Sequence, residues 1–212
     1  MNPIDEKLSA AGEPLRLALQ EIGRSSGEAQ AAWLVGGSTG LLLQGVPLAA
    51  PPRDLDLYTD RDTAYKLHSA LLRWSVDEQQ ESATDIYRSI LSHYVISGVS
   101  VELVGAFEVR ASESEYRVEA AYLQRAYYAL PLRLGDGLET GLMPLAHELL
   151  FNLLRQRPDR YEAIAEVLRT RKDSRELAAL KSLISRNRFG GEALAYAQSV
   201  LESMSSGERE EP

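Results

Sequence analysis

The sequence predicts an α/β fold over residues 1–140 and a helical region over residues 141–205. In the first part, short apolar runs bounded by glycine and proline alternate with segments of helical spacing. After Pro144, apolar residues recur at helical spacing in four consecutive segments. The polar residues 206–212 are expected to form a flexible tail. The separators between the four helical segments are Pro158, Asp173-Ser174 and Gly190-Gly191.

The elements before residue 60 follow from local signals. A helix is predicted over residues 13–23, because Pro14 suits its first turn and its apolar residues lie mostly on one side. The apolar run 31–35 predicts a buried strand that ends at the two glycines after it. Ser38 is expected to cap a short helix, and residues 55–58 suit a second strand.

Three further segments complete the first part. Residues 60–74 have helical spacing and are predicted to form a helix. Residues 87–96 and 99–104 predict two strands that a turn at residues 97–98 joins into a hairpin. Residues 116–134 mix β-favouring residues with Ala and Arg, so their composition leaves the secondary structure open.

Composition excludes several classes of protein and site. The chain has 212 residues and a formal net charge of −8, and an acidic surface disfavours broad binding to nucleic-acid phosphates. It has no cysteine, which excludes disulfides, thiolate metal sites and cysteine nucleophiles. No apolar run approaches the ~20 residues of a membrane span, and the N-terminus lacks the signal-peptide pattern. We therefore expect a cytoplasmic protein without a membrane partner.

Two aspartates lie at the start of the second predicted strand. Alternate residues of a strand point to the same face, so Asp54 and Asp56 share one face while Leu55 and Leu57 point into the core. Neighbouring carboxylates repel each other, and a divalent cation such as Mg²⁺ or Mn²⁺ relieves that repulsion. We expect this pair of aspartates to form a metal-binding platform.

A third carboxylate is expected on a neighbouring strand. In residues 99–104, Val101 and Leu103 alternate inward and leave Glu102 on the opposite face. Glu102 shares the face of the aspartates if the two strands are neighbours and in register. Its expected role is that of a metal ligand or of a general base toward an acceptor hydroxyl.

The segment Gly36-Gly37-Ser38 separates the first strand from the helix after it. Two glycines allow a tight turn and a close approach to a ligand without Cβ clashes. Free N–H groups at the start of the helix favour an anion, and the Ser38 hydroxyl can donate to a phosphate oxygen. Arg53 either reaches a phosphate or neutralises the aspartate pair. The pattern predicts a phosphate-binding turn that faces the metal platform, with a nucleoside triphosphate between them.

The order GGS, spacer, DLD and a later strand carboxylate resembles the nucleotidyltransferase superfamily that includes DNA polymerase beta. The closer resemblance is to its small bacterial members, the antibiotic nucleotidyltransferases and the toxins of abortive-infection systems. The resemblance is motif-specific over residues 33–58, weaker over 93–104 and architectural beyond residue 144. It implies a mixed β-sheet flanked by helices, with a helical region after it.

The same resemblance implies roles and an activity. Gly37 and Ser38 would hold a triphosphate. Asp54 and Asp56 would bind Mg²⁺, with Glu102 as the third carboxylate. The implied reaction moves a nucleoside monophosphate from an NTP, with ATP as the first choice, to the hydroxyl of a small molecule, a protein or a tRNA.

The sequence departs from the superfamily pattern in two places. Most members have Asp where this chain has Glu102, and Asn152 occupies the helical position where toxin-like members carry a lysine. Lys172 and Arg175, near a segment that also resembles the toxins, are further candidates for triphosphate contact. These departures motivate an alternative, in which the chain is a catalytically degenerate nucleotide-binding or toxin–antitoxin-type interaction module. The apolar helical faces leave room for a homodimer.

The remaining histidines and tyrosines are assigned structural roles. His68 and His93 have no metal-ligand spacing. The tyrosines within residues 122–128 could stack on a base, but a role in the core or at an interface is favoured.

Overall fold

The computed structural model describes residues 3–206, which form one mixed β-sheet with helices on both faces. None of the described helices combines the length and the apolar composition that crossing a membrane requires. The helices are α1 (Pro3–Ala10), α2 (Glu13–Ala29), α3 (Gly37–Leu43), α4 (Arg61–Leu71), α5 (Ala120–Arg125), α6 (Leu145–Leu154), α7 (Pro158–Arg171), α8 (Ser174–Arg186) and α9 (Gly191–Ser205). The strands are β1 (Leu34–Gly36), β2 (Leu55–Thr59), β3 (Gln80–Ala83), β4 (Tyr87–Ile96), β5 (Val99–Ala111), β6 (Ser114–Arg117), β7 (Leu130–Gly135) and β8 (Leu138–Leu142).

The strands lie in the order β3-β4-β5-β2-β1-β8-β7, and β6 pairs with the end of β5. The pairs β2–β5 and β1–β8 are parallel, and the other pairs are antiparallel. The short strand β1 therefore lies in the interior of the sheet, between β2 and β8. The two parallel pairs bring together segments that are far apart in the sequence, including the two strands that carry the candidate acidic residues.

Consecutive residues of the central strands enter two different cores. One core contains alternate strand residues such as Leu57 and Leu103 and is covered by α1, α2 and α4. The other contains the next residues, Tyr58 and Val104, and is covered mainly by α6 to α9. Since side chains two apart share a face, Asp56 lies on the face of Tyr58, beneath the helical region. The side of the sheet that carries the aspartates is thus the side that α6 covers.

The structure confirms the α/β class, the four C-terminal helices and the helix predicted over 13–23, which extends to Ala29. It also confirms the hairpin, whose turn residues Ser97 and Gly98 have φ values of 51° and 79°. Residues 116–134 contain a strand end, a short helix and another strand, which explains their mixed composition. The strands change to helices after Leu142, and a domain division near residue 140 stays a proposal.

The N-terminus of α3 and the C-terminus of α9 bear on two of the predictions. The expectation that Ser38 caps α3 is wrong, because Gly36 is the N-cap residue and Ser38 lies within the first turn of the helix. Tight backbone at the glycines lets the helix begin earlier than a capping serine would. Of the predicted tail, Ser206 is the C-cap residue that follows α9, and residues 207–212 lie outside the described residues.

Candidate active site

Three carboxylates meet on the helix-covered face of the sheet. Parallel pairing of β2 and β5 places Asp56 directly opposite Glu102, and Asp54 lies two residues earlier on the same face. One carboxylate oxygen from each of the three residues lies within 4.8 Å of the others, and all three side chains are half-buried. The structure thus brings together the three acidic residues that the sequence singled out. We call Asp54, Asp56 and Glu102 the acidic trio.

The electrostatics of the acidic trio indicate a shortage of positive charge. Burial, together with the charges of Asp54, Glu102 and Glu148, raises the pKa of Asp56 to about 8, and Arg155 opposes this shift. Burial also raises the pKa of Glu102, an effect that His93 and Arg155 oppose. Carboxylates that share a partly desolvated site are stabilised in their charged form by a cation. The trio therefore favours a cation more strongly than three separate surface carboxylates would.

The acidic trio opens into a cavity of about 380 Å³. That volume falls within the range of small-molecule sites. Its lining combines the trio with hydroxyl groups of β3 and β4, aromatic rings, and arginines from the region of α6 and α7. Besides the trio, the lining includes Gly37, Ser38, Tyr87, Phe107, Glu148, Phe151, Asn152, Arg155, Arg157 and Arg160.

Residues 36–38, which we call the turn, join β1 to α3, and carboxylates pack so closely against its two glycines that neither can carry a side chain. A Cβ atom on Gly37 would lie 1.8 Å from Asp56 Oδ2, and the φ of Gly37 is +57°. A Cβ atom on Gly36 would lie 2.9 Å from Glu148 Oε1 and closer still to the Tyr58 ring. Gly36 is buried and does not line the cavity, whereas Gly37 and Ser38 do. The absence of side chains therefore lets two carboxylates approach the turn from different sides.

The Gly37 N–H already has an acceptor within the protein. It donates to Glu148 Oε1 at 2.8 Å, from a side chain that is 1% exposed. Burial raises the pKa of Glu148 to about 7, while this hydrogen bond and Arg155 oppose the shift. Sequence reasoning missed Glu148, because a glutamate within an apolar helix gives no signal of what lies across the fold.

Arginines provide the positive charge of the cavity. The Arg155 guanidinium lies 4.9 Å from the ring centroid of Phe151 and 5.8 Å from that of Tyr87. Arg157 and Arg160 also line the cavity, and both pair with Asp159, at 2.8 and 3.6 Å. Arg155 lies three residues after Asn152, the position at which the sequence resemblance implies a lysine.

Comparison with solved structures supports the fold through one match with a TM-score above 0.5. A provisionally assigned nucleotidyltransferase from Thermotoga maritima superposes with a TM-score of 0.53 at 22% identity, over 71% of this chain and 89% of that chain. The chain has the nucleotidyltransferase fold. ANT(2″)-Ia, solved in complex with adenylyl-2″-tobramycin, matches with a TM-score of 0.42 at 13% identity, over 77% of this chain and 95% of its own. No protein-family model and no curated protein matches the sequence.

Several candidates lie away from the cavity of this nucleotidyltransferase fold. Arg53 is exposed and does not line the cavity. Lys172 ends α7 in a left-handed conformation, and Arg175 pairs with Asp173 at 3.1 Å. Tyr127 is 84% exposed, outside the core. The structure therefore brings none of these side chains to the acidic trio.

His93 lies beside the trio. Its Nε2 atom is 3.8 Å from Glu102 Oε2, and its Nδ1 atom is 2.5 Å from Asp77 Oδ2. A histidine held between two carboxylates is oriented by both of them. His68, by contrast, pairs with the hydroxyl of Tyr94 on the opposite face of the sheet.

Proposed function

We propose that the chain is a metal-dependent nucleotidyltransferase that moves a nucleoside monophosphate from an NTP to an acceptor hydroxyl. The observation that carries the proposal is that the acidic trio, Ser38 and Arg155 line one cavity. A cavity lined by both positive and negative groups suits a metal-bound polyphosphate, which presents both signs of charge. The fold supports the assignment, and ATP is the first-choice substrate.

The acidic trio fits Mg²⁺ or Mn²⁺. These cations prefer oxygen ligands and are held by a few carboxylates together with substrate phosphates. Asp54, Asp56 and Glu102 offer three carboxylate oxygens within 4.8 Å of one another. When bound, the cation would neutralise phosphate charge and help to orient the reacting phosphate. Cation sites of this kind also need room for the substrate phosphates, and the adjoining cavity provides that room.

The triphosphate is assigned to the space between the trio and the arginines. The Ser38 hydroxyl lines this space and can donate to a phosphate oxygen. Arg155 makes no ion pair with a carboxylate among residues 3–206, whereas Arg157 and Arg160 share Asp159. A guanidinium matches phosphate oxygens with several donors at once. We therefore assign Arg155 the role that a lysine of α6 was expected to fill.

The reaction needs a base and a leaving group. The acceptor oxygen bonds to the α-phosphorus, and the bond between the α-phosphorus and the pyrophosphate oxygen breaks. Glu102 has two carboxylate oxygens, so one can bind the cation while the other accepts the proton of the acceptor hydroxyl. His93 contacts Glu102 from the opposite side to the trio and orients it. Catalysis in this scheme is mainly positioning and charge neutralisation.

Isothermal titration with each of the four ribonucleoside triphosphates tests this function, first with Mg²⁺ and then with EDTA. We expect binding that requires the metal and is at least about tenfold weaker in Asp54→Asn and Asp56→Asn, because each change removes a charged ligand. Asp62→Asn is the matched control, since Asp62 is exposed on α4 and outside the cavity. Full metal-dependent binding by Asp56→Asn would overturn the proposal.

A different result would favour the alternative reading as an interaction module. If the wild-type protein binds none of the four triphosphates with either Mg²⁺ or Mn²⁺, the nucleotidyltransferase fold has been retained without its ligand. Co-purification of a second protein in that case would identify the chain as a folded partner.

A further inference from the structure

Glu148 belongs to the cavity but not to the acidic trio. It lies on α6, and no oxygen of its carboxylate joins the group of ligand atoms that lie within 4.8 Å of one another. Its Oε1 atom instead accepts the Gly37 N–H at 2.8 Å. Burial of a carboxylate without hydrogen-bond partners destabilises the folded state, so the partners of Glu148 indicate its role.

The position of Glu148 is fixed from α6 as well. Asn152, one turn later on the helix, donates from Nδ2 to the Glu148 backbone oxygen at 2.8 Å and lies 3.4 Å from Oε2. The side chain is 1% exposed. Both carboxylate oxygens therefore have a partner on a defined side, and the Gly37 N–H is held by a group that cannot move freely.

The same hydrogen bond limits what the turn can offer a ligand. A single N–H cannot serve Glu148 and a phosphate with good geometry, and the two anions would repel each other at that distance. Next to Gly37, the Ser38 side chain lines the cavity, and its hydroxyl has no hydrogen-bond partner among residues 3–206. The donor that remains for a ligand at this turn is thus the serine hydroxyl.

We propose that Glu148 is a positioning residue of the turn: it fixes Gly37 through its N–H and leaves the Ser38 hydroxyl to bind the triphosphate. This inference deepens the proposed function and rests on it for the identity of the ligand. It also explains Asn152, which keeps Glu148 in place where a cationic side chain was expected.

Selective labelling gives a direct measurement on Gly37. The sequence has two Gly-Gly pairs, Gly36-Gly37 and Gly190-Gly191. Protein labelled with ¹³C′-glycine and ¹⁵N-glycine therefore shows two amides coupled to a labelled carbonyl, and Gly191 is an internal reference. We expect slow hydrogen exchange at Gly37 in the wild type and in Glu148→Gln, which keeps an acceptor oxygen. We expect exchange at least about tenfold faster in Glu148→Ala, because the N–H loses its partner.

Triphosphate titration of the same variants measures the consequence. Glu148→Ala and Ser38→Ala should each bind triphosphate at least about tenfold more weakly than wild type, and Glu148→Gln should bind within about threefold of it. Gln20→Ala is the control, since Gln20 is also buried and donates to the Leu134 backbone oxygen at 2.7 Å, outside the cavity, and this variant should bind as the wild type does.

Two results would overturn the inference. One is a Gly37 amide that exchanges equally slowly in wild type and in folded Glu148→Ala. The other is tighter triphosphate binding by Glu148→Ala, which would mean that Glu148 competes with the phosphate for the N–H. If the wild type binds no triphosphate, the proposed function and the assignment of Ser38 to phosphate fail together. The amide measurement still decides whether Glu148 holds the turn.

Discussion

Arg155, which directly follows α6, supplies positive charge to a cavity whose carboxylates lie on and beside β2, on β5 and on α6. Its guanidinium contacts the rings of Phe151 and Tyr87, and its charge acts on Asp56, Glu102 and Glu148. An arginine over aromatic rings keeps its charge while its stem packs against apolar surface. Arg155 thus supplies positive charge to the cavity without an ion pair to any carboxylate of residues 3–206.

Substitution of Arg155 separates the roles of the arginines. We expect Arg155→Ala to weaken triphosphate binding by about tenfold to a hundredfold, because a charged hydrogen bond to phosphate is lost. Arg53→Ala is the control, since Arg53 is exposed and away from the cavity, and it should bind within about twofold of wild type. Titration calorimetry with ATP and Mg²⁺ measures both. A larger loss in Arg53→Ala than in Arg155→Ala would restore the role that the sequence gave to Arg53.

At the residue scale, the carboxylates on strands could be predicted and those on helices could not. Asp54 and Asp56 follow a two-residue period that fixes their common face, whatever the fold. Glu148 and Arg155 lie on a helix that is apolar on most of its surface. Their roles depend on the cavity next to β2 and β5, and the local sequence around residues 148–155 does not predict that cavity.

Among the elements, α6 does most to complete the site. Glu148 and Asn152 lie four residues apart on α6, and Arg155, the C-cap residue, follows three residues later, so all three lie along one side of the helix. The N-terminus of α6 is buried, and the Glu176 carboxylate accepts the Ala146 N–H there. A buried helix end needs such an acceptor. Helix α8, which carries Glu176, therefore holds α6 in position.

The buried Glu176 gives a pH dependence of stability. Burial raises its pKa to about 7, so the folded protein holds this proton more tightly than the unfolded chain does. Its contribution is present at low pH and is lost as the pH rises through about 7. Relative to Glu176→Gln, which cannot ionise, we expect the wild type to lose roughly 1 to 3 kcal/mol of unfolding free energy between pH 5 and pH 8.

Urea denaturation of both proteins at the two pH values measures this difference. Glu176→Gln keeps an acceptor oxygen for the Ala146 N–H, so the comparison isolates the charge. An equal change in unfolding free energy with pH for both proteins would contradict the raised pKa of Glu176. A greater loss of unfolding free energy in Glu176→Gln than in the wild type would mean that the pKa of Glu176 is lowered rather than raised.

At the scale of the whole molecule, the candidate site costs stability until a cation binds. Asp56 is desolvated among Asp54, Glu102 and Glu148, and like charges in such a site oppose folding. In EDTA, we expect Asp56→Asn to melt at the same temperature as wild type or above it. Mg²⁺ at about a hundred times its dissociation constant should stabilise the wild type by roughly 2 to 3 kcal/mol, and the variant far less.

Thermal melts with and without Mg²⁺ provide the measurement, and Asp62→Asn is the control that should respond as wild type does. A melting temperature of wild type that does not rise with Mg²⁺ or Mn²⁺ would contradict the assignment of the acidic trio as a cation site.

The overall topology marks the limit of prediction from the sequence. The hairpin of β4 and β5 is local, and its turn was visible in the sequence. The two parallel pairs are not local, because β1 pairs with β8, and β2 pairs with β5, across long intervening segments. No turn residue specifies such a pair, because it forms through burial of both faces of the sheet. From the sequence, Glu102 could be placed beside Asp56 only on the condition that their strands are neighbours and in register. The structure shows that they are.

The pairing of β1 with β8 also governs how the protein emerges from the ribosome. The ribosome must add roughly 100 residues after β1 before β8 exists, which takes on the order of 5 to 20 s at ordinary elongation rates. During that time one edge of β1 has no native neighbour, and the Gly37 N–H has no Glu148. The glycine turn therefore acquires its final geometry only when α6 has left the exit tunnel. A nascent chain that stops between β8 and α6 would carry the acidic trio on an uncovered sheet face.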